Sequence, residues 1–254
     1  SMTFNDAQSS YLISNSSDYA FGTSDFTVEA FFKTVATASY SYAGVISLRG
    51  NGTYSNGVNI NLQYADPSTP LIEFSANGNF LTYTASNDEW YHVAISRTGG
   101  TSSYFINGNL VNEVADTTDY TPSDLVVGRY YTEFSDYYFN GLISNVRVIN
   151  GTGLYTATFS IPDVQLSGTY SNTKFLITSQ EVNPTKDMTG LHSVTASNIG
   201  WTSSLPSITL YVSENLQFYV DAGLPESYSG TGTTWYDISG NSRNLTMNSL
   251  SYSS

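Results

Sequence analysis

The chain predicts an all-β fold, a two-sheet antiparallel β-sandwich. Three observations carry this prediction. Apolar and polar residues alternate over many short runs. The cleanest is Val58, Ile60, Leu62 and Tyr64 against Asn59, Asn61 and Gln63, the period of a strand with one buried face. Turn signals separate these runs about every ten residues, the spacing typical of sandwiches. No stretch of useful length carries helical periodicity.

Taken in order, Thr3 to Ile13 reads as an opening strand, and Phe21 to Asp25 as a turn. Phe26 to Lys33 places Phe26, Val28, Ala30 and Phe32 on one face and Glu29 on the other, where it is expected to be solvated. Val45 to Leu48 is a short strand. Leu71 to Phe74 and Phe80 to Tyr83 form a hairpin around Ala76-Asn77-Gly78. Trp90 to Ser96 alternates, Gly99-Gly100 breaks the run, and Ser103 to Ile106 returns. Asn107-Gly108 then precedes Leu110 and Val111. Asn-Gly between two such runs favours a type I′ turn, because both central residues need positive φ. Asp116 to Ser123 is a polar loop, Leu125 to Gly128 a strand, and Arg129 to Phe139 a loop dense in aromatics and acids. Gly141 to Ile149 is a strand whose apolar spacing slips between Ile143 and Val146, which predicts a bulge. Lys174 to Thr178 and His192 to Ala196 supply two more strands.

Composition narrows the function. The 254 residues suffice for one large sandwich, or a sandwich plus a fragment. Charged residues are only 11% of the chain, while Tyr occurs 21 times, a residue suited to half-buried strand faces. With no cysteine, a disulfide framework and a thiolate zinc site are excluded. The net charge of −13 disfavours nucleic acid and anionic membranes. No apolar run of about 18 residues is present to span a membrane. Neutral glycans, proteins and divalent cations are the partners left.

Three strings resemble one family. Phe21 to Lys33 (FGTSDFTVEAFFK), Trp90-Tyr91-His92-Val93 running into Phe105-Ile106-Asn107-Gly108, and the long ungapped stretch from Phe139 to Pro162 are similar to laminin-G-like, concanavalin-A-like modules. The third string is similar to those of phage and virus tail or fibre proteins and bacterial surface proteins. The resemblance implies a concanavalin-A-like jelly roll, with His92 in a packed or hydrogen-bonded structural role. It also implies an extracellular, cell-surface or virion-surface setting and a calcium site at the sandwich rim in some relatives.

Catalytic chemistry is not legible. Glycoside hydrolases of this fold need paired carboxylates on one strand face, in the pattern Glu-x-Asp-x-x-Glu, and none occurs. Asp88 and Glu89 are adjacent and would point to opposite faces of a strand. Neither His92 nor His192 stands in a triad-like motif, and no Gly-rich loop opens a helix to cradle phosphate. The chain is therefore expected to be no enzyme.

The candidate ligand surface is the aromatic loop with Tyr130, Tyr131, Phe134, Tyr137 and Tyr138. Exposed rings there can stack on sugars or anchor a partner; alternatively, alternate rings close the sandwich edge. Asp119, Asp124, Glu133 and Asp136 flank the same region and are the candidate calcium ligands, calcium taking six to eight oxygens. The expected cofactor is none or calcium. Asp187-Met188-Thr189-Gly190 and Asp237-Ile238-Ser239-Gly240 share Asp-x-Ser/Thr-Gly, read as an Asp-capped turn with a metal ligand as the alternative. Sequons stand at Asn15, Asn51, Asn150 and Asn244.

Residues 1–206 are expected to form the sandwich, and 207–254 the opening strands of a second family unit. Leu216, Phe218 and Val220 read as a strand, and Trp235, Asp237 and Leu245 belong to the string that follows. An isolated hairpin is barely stable in water. The tail resembles the opening of a family domain and Ser1 to Ser10 the sequence that follows it there, which implies a tail beside Thr3 to Ile13, either of its own sandwich or, the favoured reading, of a neighbouring copy in a filament. Two functions follow: a non-catalytic fibre or adhesin module binding a glycan or cell-surface receptor, or a structural repeat whose partner is another copy of itself.

Overall fold

The computed structural model describes residues 1–35, 41–49, 57–64, 69–131, 136–161, 166, 170–178, 186–202, 204, 206, 233–236 and 243–246. The chain divides into two units, Ser1–Ile208 and Thr209–Ser254.

Strands of the larger unit are β1 (Met2–Phe4), β2 (Tyr11–Asn15), β3 (Phe26–Thr34), β4 (Tyr42–Arg49), β5 (Val58–Tyr64), β6 (Pro70–Ala76), β7 (Asn79–Thr84), β8 (Trp90–Thr98), β9 (Thr101–Ile106) and β10 (Asn109–Ala115). They continue with β11 (Asp124–Val127), β12 (Arg129–Tyr131), β13 (Asp136–Tyr138), β14 (Gly141–Asn150), β15 (Thr173–Ile177), β16 (Thr195–Ser197) and β17 (Gly200–Trp201). One sheet runs β10-β9-β8-β3-β14-β1-β17, with β15 also on β14; the other runs β16-β2-β11-β4-β5-β6-β7. Apolar residues of both sheets, among them Phe26, Val28, Phe32, Ile60, Leu62, Phe74 and Val148, join in one buried core. The predicted antiparallel sandwich is the fold found.

Three two-residue turns have both residues left-handed: Asn77-Gly78, Gly99-Gly100 and Asn107-Gly108. They match the twist of the strands they join. The predicted bulge in β14 is real and has a use. Between Ser144 and Arg147, the two residues Asn145 and Val146 stand opposite the single residue Ala30. Ile143, Val146 and Val148 thereby all reach the core, while Arg147 comes to face Glu29 on the outer side.

Two expectations change. The opening strand of residues 3–13 is two strands in different sheets. A 3₁₀ turn at Asp6–Gln8 and a left-handed Ser9 carry the chain across the sandwich. Glu29 is not solvated but wholly buried, because residues 151–161 fold over the outer face of the larger sheet. Its carboxylate meets Arg147 Nε at 2.8 Å and Nη2 at 2.6 Å, Tyr155 OH at 3.0 Å and His92 Nε2 at 3.0 Å. Burial pushes the Glu29 carboxyl up. The hydrogen bond from His92 and the positive charge of Arg147 outweigh that and hold it below its ordinary range. An ionised carboxylate only accepts, so His92 donates through Nε2. His92 is thus the packed, hydrogen-bonded residue expected. Over this network Tyr155 stacks on Phe159, ring centroids 3.7 Å apart.

Both sides of β1 and β2 are taken within the unit. β1 lies between β14 and β17, and β2 between β11 and β16. Ser1 and Thr202 exchange backbone hydrogen bonds of 2.9 and 3.0 Å. Residues 195–201 thus supply the second neighbour of each strand.

In the smaller unit, β18 (Thr234–Trp235) pairs with β19 (Leu245–Thr246), and Tyr236 and Leu245 are exposed. Leu216, Phe218, Val220 and Asp237 lie outside the described residues.

Candidate functional site

The outer face of the seven-stranded sheet carries rows of polar side chains. Because Val58, Ile60, Leu62 and Tyr64 fill the core, Asn59, Asn61 and Gln63 project the other way. On β6, Ile72, Phe74 and Ala76 point inward, leaving Leu71, Glu73 and Ser75 outside. The register lines these up in rows across the strands: Ser47–Asn59–Ser75–Phe80, Gly44–Asn61–Glu73–Thr82 and Tyr42–Gln63–Leu71–Thr84.

Hydrogen bonds within the rows fix the amides. Ser47 Oγ donates to Asn59 Oδ1 at 2.8 Å, Asn61 Nδ2 to Glu73 Oε1 at 3.3 Å, and Gln63 Nε2 to the Tyr42 hydroxyl at 3.0 Å. This leaves Asn59 Nδ2, a donor, and Asn61 Oδ1, an acceptor, buried without a hydrogen-bond partner. They are two residues apart on one strand, roughly 7 Å. Burial of the Glu73 carboxyl pushes its pKa up, only partly offset by the Asn61 amide and the charge of Arg49.

An aromatic wall stands on one side of this floor. The segment 129–139, expected to be a loop, contains the hairpin β12–β13, and it lies on β4 at Gly44. A Cβ at Gly44 would fall inside the backbone of Arg129 and Tyr130, so only glycine admits the hairpin this closely. Tyr130 stacks near Tyr42 and Tyr137, each at 6.1 Å. Arg49 lies over the Tyr130 ring at 4.6 Å and donates to its hydroxyl at 3.1 Å. Arg129 covers Tyr11, which packs on Tyr138. On the other side, at the sheet edge, Phe80 is 53% exposed.

Among the described residues this face places no two carboxylates at the spacing of paired-carboxylate hydrolysis. Among the described residues the acids on this face are Glu73 on β6 and Asp124 on β11. Three strand spacings of about 4.8 Å separate them, roughly 14 Å, beyond the ~5 to 9.5 Å such hydrolysis uses.

The family model described as the Concanavalin A-like lectin/glucanases superfamily matches residues 6–152. The chain belongs to this superfamily. A search of curated proteins gives no match. Among solved structures, a candidate carbohydrate binding protein from Bacteroides ovatus superposes with a TM-score of 0.58 at 18% identity, over 80% of this chain and 60% of that one. The enzymatically active domain of tailspike protein 2 of bacteriophage CBA120 gives 0.44 at 14% identity, over 59% of this chain and 25% of that one. Mouse laminin α1 domains LG4-5 give 0.40 at 13%, over 62% and 44%. The chain thus spans well under two thirds of each of these proteins. What the Bacteroides ovatus protein shares with this superfamily member is the fold.

The predicted site residues fall in different places. Tyr130 is buried, forming the wall through its bond to Arg49 rather than an exposed ring, whereas Tyr137 and Tyr138 are half-buried beside it. Tyr131 and Asp136 oppose each other in the hairpin ladder; Phe134 and Glu133 lie outside the described residues. Asp124 opens β11 on the floor's side. Asp119 is exposed at an end of the sandwich, where buried Arg97 donates to the carbonyls of Gly22, Ser24 and Thr118. Among the described residues no three of His, Cys, Asp and Glu are placed to hold a metal. Asp187 caps its turn as expected: Oδ1 accepts from the Leu176 and Thr189 amides, Oδ2 from His192 N. Asn59, Asn61, Glu73 and Phe80 escaped the sequence reading. Their signal was the Asn-x-Asn-x-Gln alternation of β5, which marks polar residues on a strand without saying that the polar side is buried. Among the described residues, no helix is long and apolar enough to cross a membrane.

Proposed function

We propose that this superfamily member is a non-catalytic glycan-binding module of an extracellular or virion-surface fibre or adhesin, binding through the outer face of its seven-stranded sheet. The observation that carries the reading is the pair of buried, unpartnered atoms Asn59 Nδ2 and Asn61 Oδ1. Buried polar groups are almost always satisfied. A sugar hydroxyl both donates and accepts, so adjacent hydroxyls match one free donor beside one free acceptor. Phe80, on the row of Asn59, supplies the ring on which the apolar face of a sugar stacks. Glu73 and the net charge of −13 favour neutral over acidic sugars. A glycan array, with and without calcium, tests this: neutral oligosaccharides should be retained and Asn59→Ala should lose them. Absence of binding at millimolar sugar would remove the reading.

A second reading, the self-assembling repeat, draws on the exposed Tyr236 and Leu245 of the smaller unit. Exposed apolar side chains suit contact with another copy, and Leu216, Phe218, Val220 and Trp235 are assigned to the same contact from the sequence. Leu245→Asp should then abolish assembly of the full chain in sedimentation, and unchanged assembly would refute it.

A further inference from the structure

A sheet edge offers unpaired backbone groups to any passing strand, and soluble proteins blunt such edges with shortness, bulges, charge or cover. Among the described residues the two sheets end on five strand edges, and four are blunted. β15, which branches from β14, carries Lys174, and its Leu176 carbonyl accepts from Met188 N outside the sheet. β17 has two residues and β16 three. β10 is bulged between Leu110 and Asn112 and overlaid by the segment after β14, with Leu110 N donating to Thr158 Oγ1 and Phe159 N to Gly108 O. The fifth, β7, has six residues, Asn-Phe-Leu-Thr-Tyr-Thr, with no charge, proline or bulge.

The direction of its free groups follows from the turn. Asn77-Gly78 is a two-residue turn, so Ala76 and Asn79 form the first mutually bonded pair and bonding alternates from there. Ala85 N donating to Pro70 O at 2.9 Å keeps the same phase at the far end. Phe80, Thr82 and Thr84 therefore direct their N–H and C=O away from the sheet. Their side chains are also the exposed ones on the strand. Beside them, Leu81 and Tyr83 of β7 and Val111 and Val114 of β10 pack on the core yet remain partly exposed. Tyr83 OH, donating to Val111 O at 3.2 Å, ties the two edges into one flank.

We infer that β7 pairs antiparallel with β7 of a second copy, about a two-fold axis at Thr82. The strand is complementary to itself. That register alone pairs all three outward residues of both strands: Thr82 faces Thr82, and Phe80 faces Thr84, an aromatic opposite a β-branched residue. The ladder brings no carboxylate to meet another, despite the charge of −13 on each copy. It also closes the apolar flank left between β7 and β10. The two seven-stranded sheets become one, and the face bearing Asn59 and Phe80 continues from copy to copy, which sets two such faces side by side for multivalent attachment.

Cysteine scanning tests this, since the chain has no cysteine of its own. Residues opposed in a bonded pair have Cα atoms about 5.5 Å apart, inside the ~4.4 to 6.8 Å range of a disulfide. Two Thr84 positions would stand about 13 Å apart along the strands. Under mild oxidation Thr82→Cys should yield a covalent dimer and Thr84→Cys should not. By sedimentation at micromolar concentration the wild-type chain should be a dimer. Thr82→Pro should be a monomer with a near-wild-type melting curve, because its missing N–H is an outward one. A monomeric wild type, a dimer that survives Thr82→Pro, or cross-linking of Thr84→Cys as efficient as that of Thr82→Cys would overturn the inference.

Discussion

Replacing Glu29 with alanine should be among the most damaging single changes available to the larger unit. The carboxylate is wholly buried and accepts from Arg147, His92 and Tyr155. Arg147 is itself only 3% exposed, so the variant strands a buried guanidinium. Removing one partner of a buried ion pair costs roughly 3–5 kcal/mol. At about 2–4 °C per kcal/mol for a chain of this size, the melting temperature should fall on the order of 10 °C. Tyr155→Phe, which deletes one hydrogen bond to the charge, should cost less, about 1.5–3 kcal/mol. The pH dependence has a defined sign. The folded-state pKa is lowered, so the stabilisation is present above the unfolded value of about 4.3 and lost as pH falls through the folded one. The gap between wild type and Glu29→Ala should therefore close in acid. Calorimetry from pH 3 to 7 reads both effects, and hydrogen exchange should show residues 151–161 losing protection in the variant. A drop under about 3 °C at pH 7 would mean the network contributes far less than a broken buried pair should.

Further outcomes follow from the site. Glu73 has a raised folded-state pKa, so its protonated form is the one the fold favours, and the charged form weakens the fold as pH rises through that value. Glu73→Gln should accordingly raise the melting temperature at pH 7 and leave it near wild type at pH 4; a lower value at pH 7 would contradict the desolvation argument. Gly44→Ala should displace the β12–β13 hairpin and destabilise by about 1–3 kcal/mol, as overpacking does, with altered near-ultraviolet dichroism from Tyr42 and Tyr130. If the rim acids Asp119, Asp124, Glu133 and Asp136 hold calcium, excess chelator should lower the melting curve, because a ligand bound only to the native state stabilises it; an unchanged curve would remove the metal.

The sandwich was legible because strand period and Asn-Gly turns are local signals. The slip between Ile143 and Val146 even located the bulge. What escaped depends on segments far apart in the chain. Glu29 reads as a solvated strand residue until residues 151–161 cover it, and nothing near Glu29 announces that cover. The opening strand splits because Ser9 takes a left-handed conformation that an Asp-Ala-Gln-Ser string does not advertise. The aromatic segment became a hairpin because Gly44, about ninety residues earlier, leaves room for its backbone on β4. Asn59, Asn61 and Glu73 come together only through the register of β5 and β6. The free atoms depend on which amide each neighbour uses.

The most direct test of the binding face is a titration of the isotope-labelled full chain with the neutral oligosaccharide that the array selects, followed by amide and side-chain chemical shifts. The account predicts that the perturbed signals cluster on Asn59, Asn61, Glu73 and Phe80, with the Asn59 and Asn61 side-chain amides moving most. Perturbations confined to the opposite sheet around Tyr155, or to the sandwich end around Asp119, would contradict it.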